Sequence, residues 1–246
     1  LPLRIIAGRA HVFDRVGDDK KQTALRVADI AIDEQCRDSG QAILVFLRTL
    51  VDVKVVADKL AKAEARFKIL TGTLRGKKRD ELVETDIFRR FLPGSIIDAN
   101  GKAAEETVYL VCTSAGEVGV DISADHMVCD LSTLESMIQR LGRVNRFGHG
   151  DAKVTVVTPD SFDAKSALDS SRERTLDVLK RLPERDGGYD ASPASLSAML
   201  ENLIKNEKEA AFSPLPDIPP ATDILFDAWA LTTIREKLPG RPEVAP

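Results

Sequence analysis

The sequence predicts an α/β domain, a doubly wound parallel sheet over residues 1–160. A small helical appendage (161–211) and a proline-rich linker or docking tail (212–246) follow it. Three observations predict the α/β class. Strand-length apolar runs recur at 42–47 (AILVFL), 107–112 (TVYLVC), 126–131 (HMVCDL) and 152–158 (AKVTVVT). These runs are apolar nearly throughout rather than alternating, the mark of strands covered on both faces. The segments between them carry apolar residues at helical spacing.

The elements follow in order. The run at 42–47 leads into VDVKVVADKLAKAEA, whose apolar positions fall on one helical face. FKIL is the next short strand, and TGTLRGKKRDELVETDIFRRFLPG reads as a helix ending near Pro93. TVYLVC is β-branched and apolar, and a glycine-containing turn follows it. HMVCDL precedes STLESMIQRLGRVNR, a helix with Ser132 and Glu135 at capping-box spacing. Beyond Pro159, residues 164–182 and 193–205 read as amphipathic helices. The second opens with Ser192 before Pro193 and has Leu196, Met199, Leu200, Leu203 and Ile204 on one stripe. PERDGGYD reads as a loop between them. Seven of the 12 prolines fall in 212–246, which argues for a linker rather than an independent core.

Composition narrows the function classes. The chain is 43% hydrophobic and 30% charged, as a globular protein is, and its net charge of −4 supplies no global field toward nucleic acid or anionic lipid. Any polyanion site must be local. Cys36, Cys112 and Cys129 are isolated and lack metal-ligand spacing, which points to a reducing, cytoplasmic compartment without structural disulfide or zinc. No apolar run approaches the roughly 18–20 residues of a membrane helix. The opening LPLRII without Met suggests a piece of something longer.

Against that acidic background, residues 139–146 (QRLGRVNR) concentrate three arginines and a glutamine. With about 100° of turn per residue and Gln139 at zero, Arg143 falls at about 40° and Arg146 at about 340°, while Leu134, Met137, Ile138, Leu141 and Val144 span roughly 140° to 260°. A continuous helix would therefore aim Gln139, Arg143 and Arg146 away from the sheet together, with Arg140 to the side. Planar guanidinium forks suit phosphate oxygens, and neighbouring cations repel unless an anion lies between them. A solvated basic face is the alternative reading.

The spacing Q-R-x-G-R-x-x-R resembles motif VI of superfamily 2 helicases. The resemblance implies that Arg143 and Arg146 are arginine fingers reaching the γ-phosphate of ATP, with Gln139 also contacting nucleotide. Charge supplied in this way is worth about 10³–10⁵ in rate. TSAGEVGVDIS (113–123) resembles motif V, implying nucleotide contacts from Gly119 and Asp121 and a nucleic-acid backbone contact from Thr113. FLRT (46–49) resembles motif IV, with Arg48 and Thr49 as phosphate contacts at a helix N-terminus. TGTLRGKKRDE (71–81) resembles motif IVa, with Gly72, Arg75 and Arg79 bordering the strand track, whereas Lys77 and Lys78 read as solvent-facing charge.

Gln139 in place of His, and EVGVDI in motif V, separate the chain from DEAD-box RNA helicases. EVGVDISADHMVCDLSTLESMIQRLGRVNR is similar to the CRISPR-associated helicase-nuclease family of type I interference. That resemblance implies a C-terminal RecA-like domain of an ATP-driven, single-stranded DNA translocase. The longer enzyme would bear a His-Asp nuclease and be recruited by an RNA-guided CRISPR surveillance complex. The chain has no G-x-x-x-x-G-K-[ST] segment, so ATP with its magnesium would be bound mainly by an N-terminal RecA-like domain, and this piece alone would be inactive. His11, His126 and His149 include no His-Asp pair, so no nuclease metal site is expected here. A superfamily 2 repair helicase and a non-catalytic RecA-like interaction module are the alternatives.

Overall fold

The computed structural model describes residues 13–16, 20–33, 40–73, 76–92, 106–146, 148, 152–185 and 188–215. A six-stranded sheet organises them: β1 (Phe13–Val16), β2 (Ala42–Phe46), β3 (Arg66–Leu70), β4 (Val108–Cys112), β5 (His126–Asp130) and β6 (Val154–Pro159). The spatial order is β1-β6-β5-β2-β4-β3, and every neighbouring pair is parallel. Between strands run α1 (Lys20–Ile32), α2 (Leu50–Lys62), α3 (Gly76–Val83), α4 (Asp86–Arg89) and α5 (Leu134–Leu141). After β6 come α6 (Ala167–Leu179), the short strands β7 (Glu184–Arg185) and β8 (Gly188–Tyr189), α7 (Pro193–Asn202) and α8 (Lys205–Ala211).

The period-2 geometry of a strand splits the apolar runs between two cores. In and just after β2, Ile43, Val45 and Leu47 face α1 and α2, meeting Val27, Ala31, Val56 and Leu60. Ala42, Leu44 and Phe46 face the opposite layer, where Leu134, Met137 and Leu141 of α5 pack with Phe88, Leu176 and Met199. Helices on both faces explain why these runs lack polar alternation. Among the described residues no helix is long and apolar enough to cross a membrane.

Local chemistry sets the boundaries, and several differ from the sequence expectation. Thr49 caps α2, its hydroxyl accepting from Asp52 N. The segment before Pro93 forms two helices, because Thr85 caps a second start by accepting from Phe88 N. Ser132 and Glu135 do not form a capping box. Thr133 is the N-cap, without a side-chain cap bond, and the Glu135 carboxylate accepts from Ser213 N at 2.8 Å. Ser192 and Pro193 start α7 as expected, the Ser192 hydroxyl accepting from Ser195 N. The helix then breaks at Leu203, whose ψ of 128° is extended, and Ile204 is exposed instead of lying on the stripe. Within PERDGGYD, expected as a loop, β7 pairs antiparallel with β8.

The helices after Pro159 share the α5-side core: Leu176, Leu179, Leu196 and Met199 are buried in it. The described residues up to Ser213 belong to one compact unit. Most of the proline-rich tail, like Cys36, His11 and His149, lies outside the described residues.

His126 opens β5, and its Nδ1 accepts a hydrogen bond from Lys153 N at 2.8 Å. Burial lowers its pKa below the usual imidazole value, the Asp125 carboxylate opposing and the Lys153 ammonium assisting. A depressed folded-state pKa means the neutral ring belongs to the fold. Its contribution is complete above about pH 6.5, the unfolded imidazole value, and is lost as pH falls below it. Thermal unfolding should therefore show a larger drop in Tm from about pH 7.5 to 5.5 for the wild type than for His126→Asn, whose amide accepts but does not titrate.

Candidate functional site

The sequence-derived residues fall into two groups. The first lies at the carboxyl edge of the sheet, where open α/β folds place their ligands. Arg48 and Thr49 follow β2, Gly72 follows β3, and Thr113 follows β4. Gly72 is exposed in open space. Arg79 is exposed on α3, while Arg75 lies outside the described residues. Thr113 is buried, its backbone N donating to Leu70 O at 3.2 Å. The Thr49 hydroxyl is engaged, donating to Asp52 Oδ2 at 2.7 Å. Arg48 is not a free cation: its Nε donates to Asp130 Oδ2 at 3.2 Å and its backbone N to the same oxygen at 3.1 Å.

The second group forms where the crossover after β4 meets the turn after α5. The helical-phase argument for the arginines does not hold in detail, because α5 ends at Leu141 with Gly142 as C-cap. Backbone pairing with the segment before β5 takes over. Ala124 N donates to Arg143 O at 2.9 Å and Asn145 N to Ala124 O at 2.7 Å, with Asn145 in the left-handed region at φ 44°. This turn, and not helical phase, aims the two arginines. The Arg143 guanidinium donates twice to the Glu117 carbonyl, from Nε at 3.2 Å and Nη2 at 2.7 Å. Arg146 pairs with Asp121, and its backbone N donates to Ser123 Oγ at 3.1 Å. Asp121, Arg143 and Arg146 thus sit together beside Gly119, and Gln139 is exposed on the last turn of α5.

Two glycines serve this crossover for different reasons. A Cβ at Gly116 would lie 2.9 Å from Cys112 Sγ and 3.0 Å from Phe46 Cε1, so the turn packs flush on the sheet. Gly119 adopts φ +77°, a conformation that L side chains rarely adopt, with open space around it.

Arg140, expected to point to the side, is instead the largest fully buried side chain of the protein's described residues. Its Nε donates to Glu117 Oε1 at 2.8 Å, and its Nη1 donates to Asp130 Oδ1 at 3.0 Å and Asp130 O at 2.9 Å. Its guanidinium carbon lies 5.2 Å from the centre of the Phe46 ring. Burial alone would lower its pKa, but the Asp130 and Glu117 charges outweigh it and raise the pKa, so the cation is retained. Ser136 Oγ also donates to Glu117 Oε1, at 2.6 Å.

Sequence reasoning overlooked this cluster. Its signal was Asp130, a carboxylate ending a buried strand that needs a buried cation near it. Arg143 differs in kind: burial and the neighbouring Arg146 charge lower its pKa, with Asp121 partly offsetting them. Burial pushes the Cys129 thiol up to about 12 and raises that of Cys112 as well, so both are inert core residues.

Removing Arg140 would strand two buried carboxylates. Arg140→Met should therefore destabilise the domain by about 3–5 kcal/mol, read as a lower denaturant midpoint at unchanged m-value.

A family model described as CRISPR-associated nuclease/helicase Cas3, C-terminal, matches residues 39–149. The chain is 30% identical over 108 residues to a Methanothermobacter thermautotrophicus protein named CRISPR-associated nuclease/helicase Cas3, covering 42% of this chain and 13% of that one. It is 25% identical over 173 residues to an Encephalitozoon cuniculi protein named ATP-dependent rRNA helicase RRP3, covering 69% of this chain and 38% of that one. The fold is similar to that of T. fusca Cas3-ADP, with TM-score 0.61 and 17% identity over 86% of this chain and 26% of that chain. T. fusca Cas3-ATP gives TM-score 0.60 and 19% identity, over 82% and 24%. The chain spans well under half the length of each of these proteins. Sheet order and the matched segment agree with a superfamily 2 helicase domain, and residues 39–149 are similar to the C-terminal domain of the CRISPR-associated nuclease/helicase Cas3 family.

Proposed function

We propose that this chain is the second RecA-like domain of an ATP-dependent single-stranded DNA translocase of CRISPR type I interference, supplying arginine fingers and part of the DNA track. The observation that carries the reading is the meeting of Asp121, Arg143 and Arg146 at one surface, built by two segments far apart in sequence. Two cations and one carboxylate leave a net positive charge there, which fits a triphosphate. Arg146 is 44% exposed and Asp121 67%. An exposed pair of this kind is worth about 0.2–1 kcal/mol, so an incoming phosphate releases Arg146 at small cost. Asp121 is then free to accept from a ribose hydroxyl, and exposed Gln139 adds a further nucleotide contact.

ATP with magnesium is the substrate, held mainly by the N-terminal RecA-like domain of the longer protein, where it supplies the transferable phosphoryl group. Arg143 and Arg146 contribute charge opposite the γ-phosphate, so this chain alone binds nucleotide weakly and does not turn it over. Backbone amides and cations at the carboxyl edge, Gly72 and Arg79 foremost, hold the strand without reading bases. Arg48, committed in part to Asp130, contributes less to that contact, and buried Thr113 and engaged Thr49 shape the edge rather than reach far from it. The attached nuclease, recruitment by an RNA-guided surveillance complex and a cytoplasmic setting complete the proposal.

In the longer protein, Arg143→Ala or Arg146→Ala should lower ATP turnover by about 10³-fold or more while single-stranded DNA binding persists. Unchanged turnover in Arg146→Ala would remove the finger assignment. Arg79→Ala should weaken DNA binding and reduce the slope of log K against log salt by about one. Equal or tighter binding of single-stranded RNA in the same titration would argue against a DNA track.

A further inference from the structure

Glu117 makes two separate attachments. Its backbone carbonyl accepts both hydrogen bonds that orient Arg143, from Nε at 3.2 Å and Nη2 at 2.7 Å. Its carboxylate lies on the inner side of the same turn, where Oε1 accepts from Ser136 Oγ at 2.6 Å and Arg140 Nε at 2.8 Å. Arg140 is itself immobilised by Asp130. The backbone before Glu117 is held by the close packing of Gly116 and by Glu117 N donating to Ser114 O at 3.0 Å. Just after it, Val118 is 67% exposed and Gly119 has open space around its missing Cβ, so the Glu117 carboxylate is the side-chain anchor nearest to the carbonyl.

From this we infer that Glu117 is a positioning residue for Arg143, with Arg140 and Ser136 acting through it. The inference rests on the reading of Arg143 as a phosphate-facing finger and adds what sets its aim. A guanidinium has five N–H donors, and two committed to a carbonyl on one edge leave the remainder directed away from it. Arg143 therefore meets the phosphate with its orientation set in advance. Releasing the anchor lets the carbonyl drift, and a displacement on the order of 1 Å at a reacting centre costs about 10²-fold in rate. Binding of nucleotide changes much less, because its main contacts lie elsewhere.

The test uses the full-length protein and steady-state ATP hydrolysis. Glu117→Gln keeps the backbone carbonyl and side-chain shape but loses the charge that holds Arg140. The expected result is a kcat lower by about 10- to 100-fold with KM for ATP little changed. The same substitution is then introduced beside Arg143→Lys, which keeps a cation but cannot form the two-pronged bond. There it should cost nothing further, since residues acting through one contact are not additive. The inference is overturned if Glu117→Gln leaves kcat unaltered, or if its full loss persists beside Arg143→Lys. If Arg143→Ala alone leaves turnover intact, the finger assignment falls and this inference with it. If Arg143→Ala abolishes turnover while Glu117→Gln is silent, only this inference falls. Should Glu117→Gln fail to fold, Ser136→Ala removes one donor and leaves the Arg140–Glu117 pair in place. A smaller fall in kcat, absent beside Arg143→Lys, supports the inference, and no fall overturns it.

Discussion

A guanidinium with no access to water is the constraint around which this domain is assembled. Moving such an ion into a low-dielectric interior costs on the order of 20 kcal/mol in the idealised limit and several after relaxation. Arg140 survives there because Glu117, the Asp130 carboxylate and the Asp130 carbonyl surround it, with the Phe46 ring beneath. Those partners come from the crossover after β4, the end of β5 and β2. A slip of any one relative to the others would leave a buried charge uncompensated. The cluster therefore specifies how these elements sit against α5, whether or not it adds net stability.

The same cluster joins the two groups of candidate residues. Asp130 uses one carboxylate oxygen for Arg140 and the other for Arg48, at the carboxyl edge after β2. Glu117 uses its carboxylate for Arg140 and its carbonyl for Arg143. A continuous chain of charge-assisted contacts thus runs from the edge proposed to hold the strand to the arginine proposed to face ATP. Such contiguity is a physical route for coupling, though only a measured non-additivity makes it an energetic one.

The two arginine classes show how burial divides similar residues. Arg140 and Arg143 stand three positions apart in one motif, yet the first is neutralised by carboxylates, whereas among the described residues the second donates to a carbonyl. A carbonyl orients a guanidinium without cancelling its charge, which is what a group awaiting an anion requires. The Arg146–Asp121 pair is exposed and correspondingly exchangeable. Pairing strength thus decreases from the core outward, toward the surface where chemistry is proposed.

Strands β2, β4, β5 and β6 were legible by themselves, because apolar runs of strand length bounded by turn residues report double-sided burial directly. The same holds for the Ser192–Pro193 helix start and for Gly119, whose conformation excludes most side chains. β1 escaped notice: FDRV is half charged, and among the described residues it is an edge strand paired with β6. The α1 helix did carry a signal, Ala24, Val27, Ala28 and Ala31 at helical spacing. The resemblance to helicase motifs V and VI implied one site for Asp121, Arg143 and Arg146, but extending α5 through Arg146 gave the wrong reason for the aim of the arginines. Helical periodicity is local, whereas the pairing of Ala124 with Arg143 and Asn145 links residues about twenty positions apart. The sequence by itself determined the α/β class, the apolar strand segments and the list of charged residues available. Only the tertiary structure decided which arginine is buried and which is presented, because that choice depends on carboxylates brought in from distant strand ends.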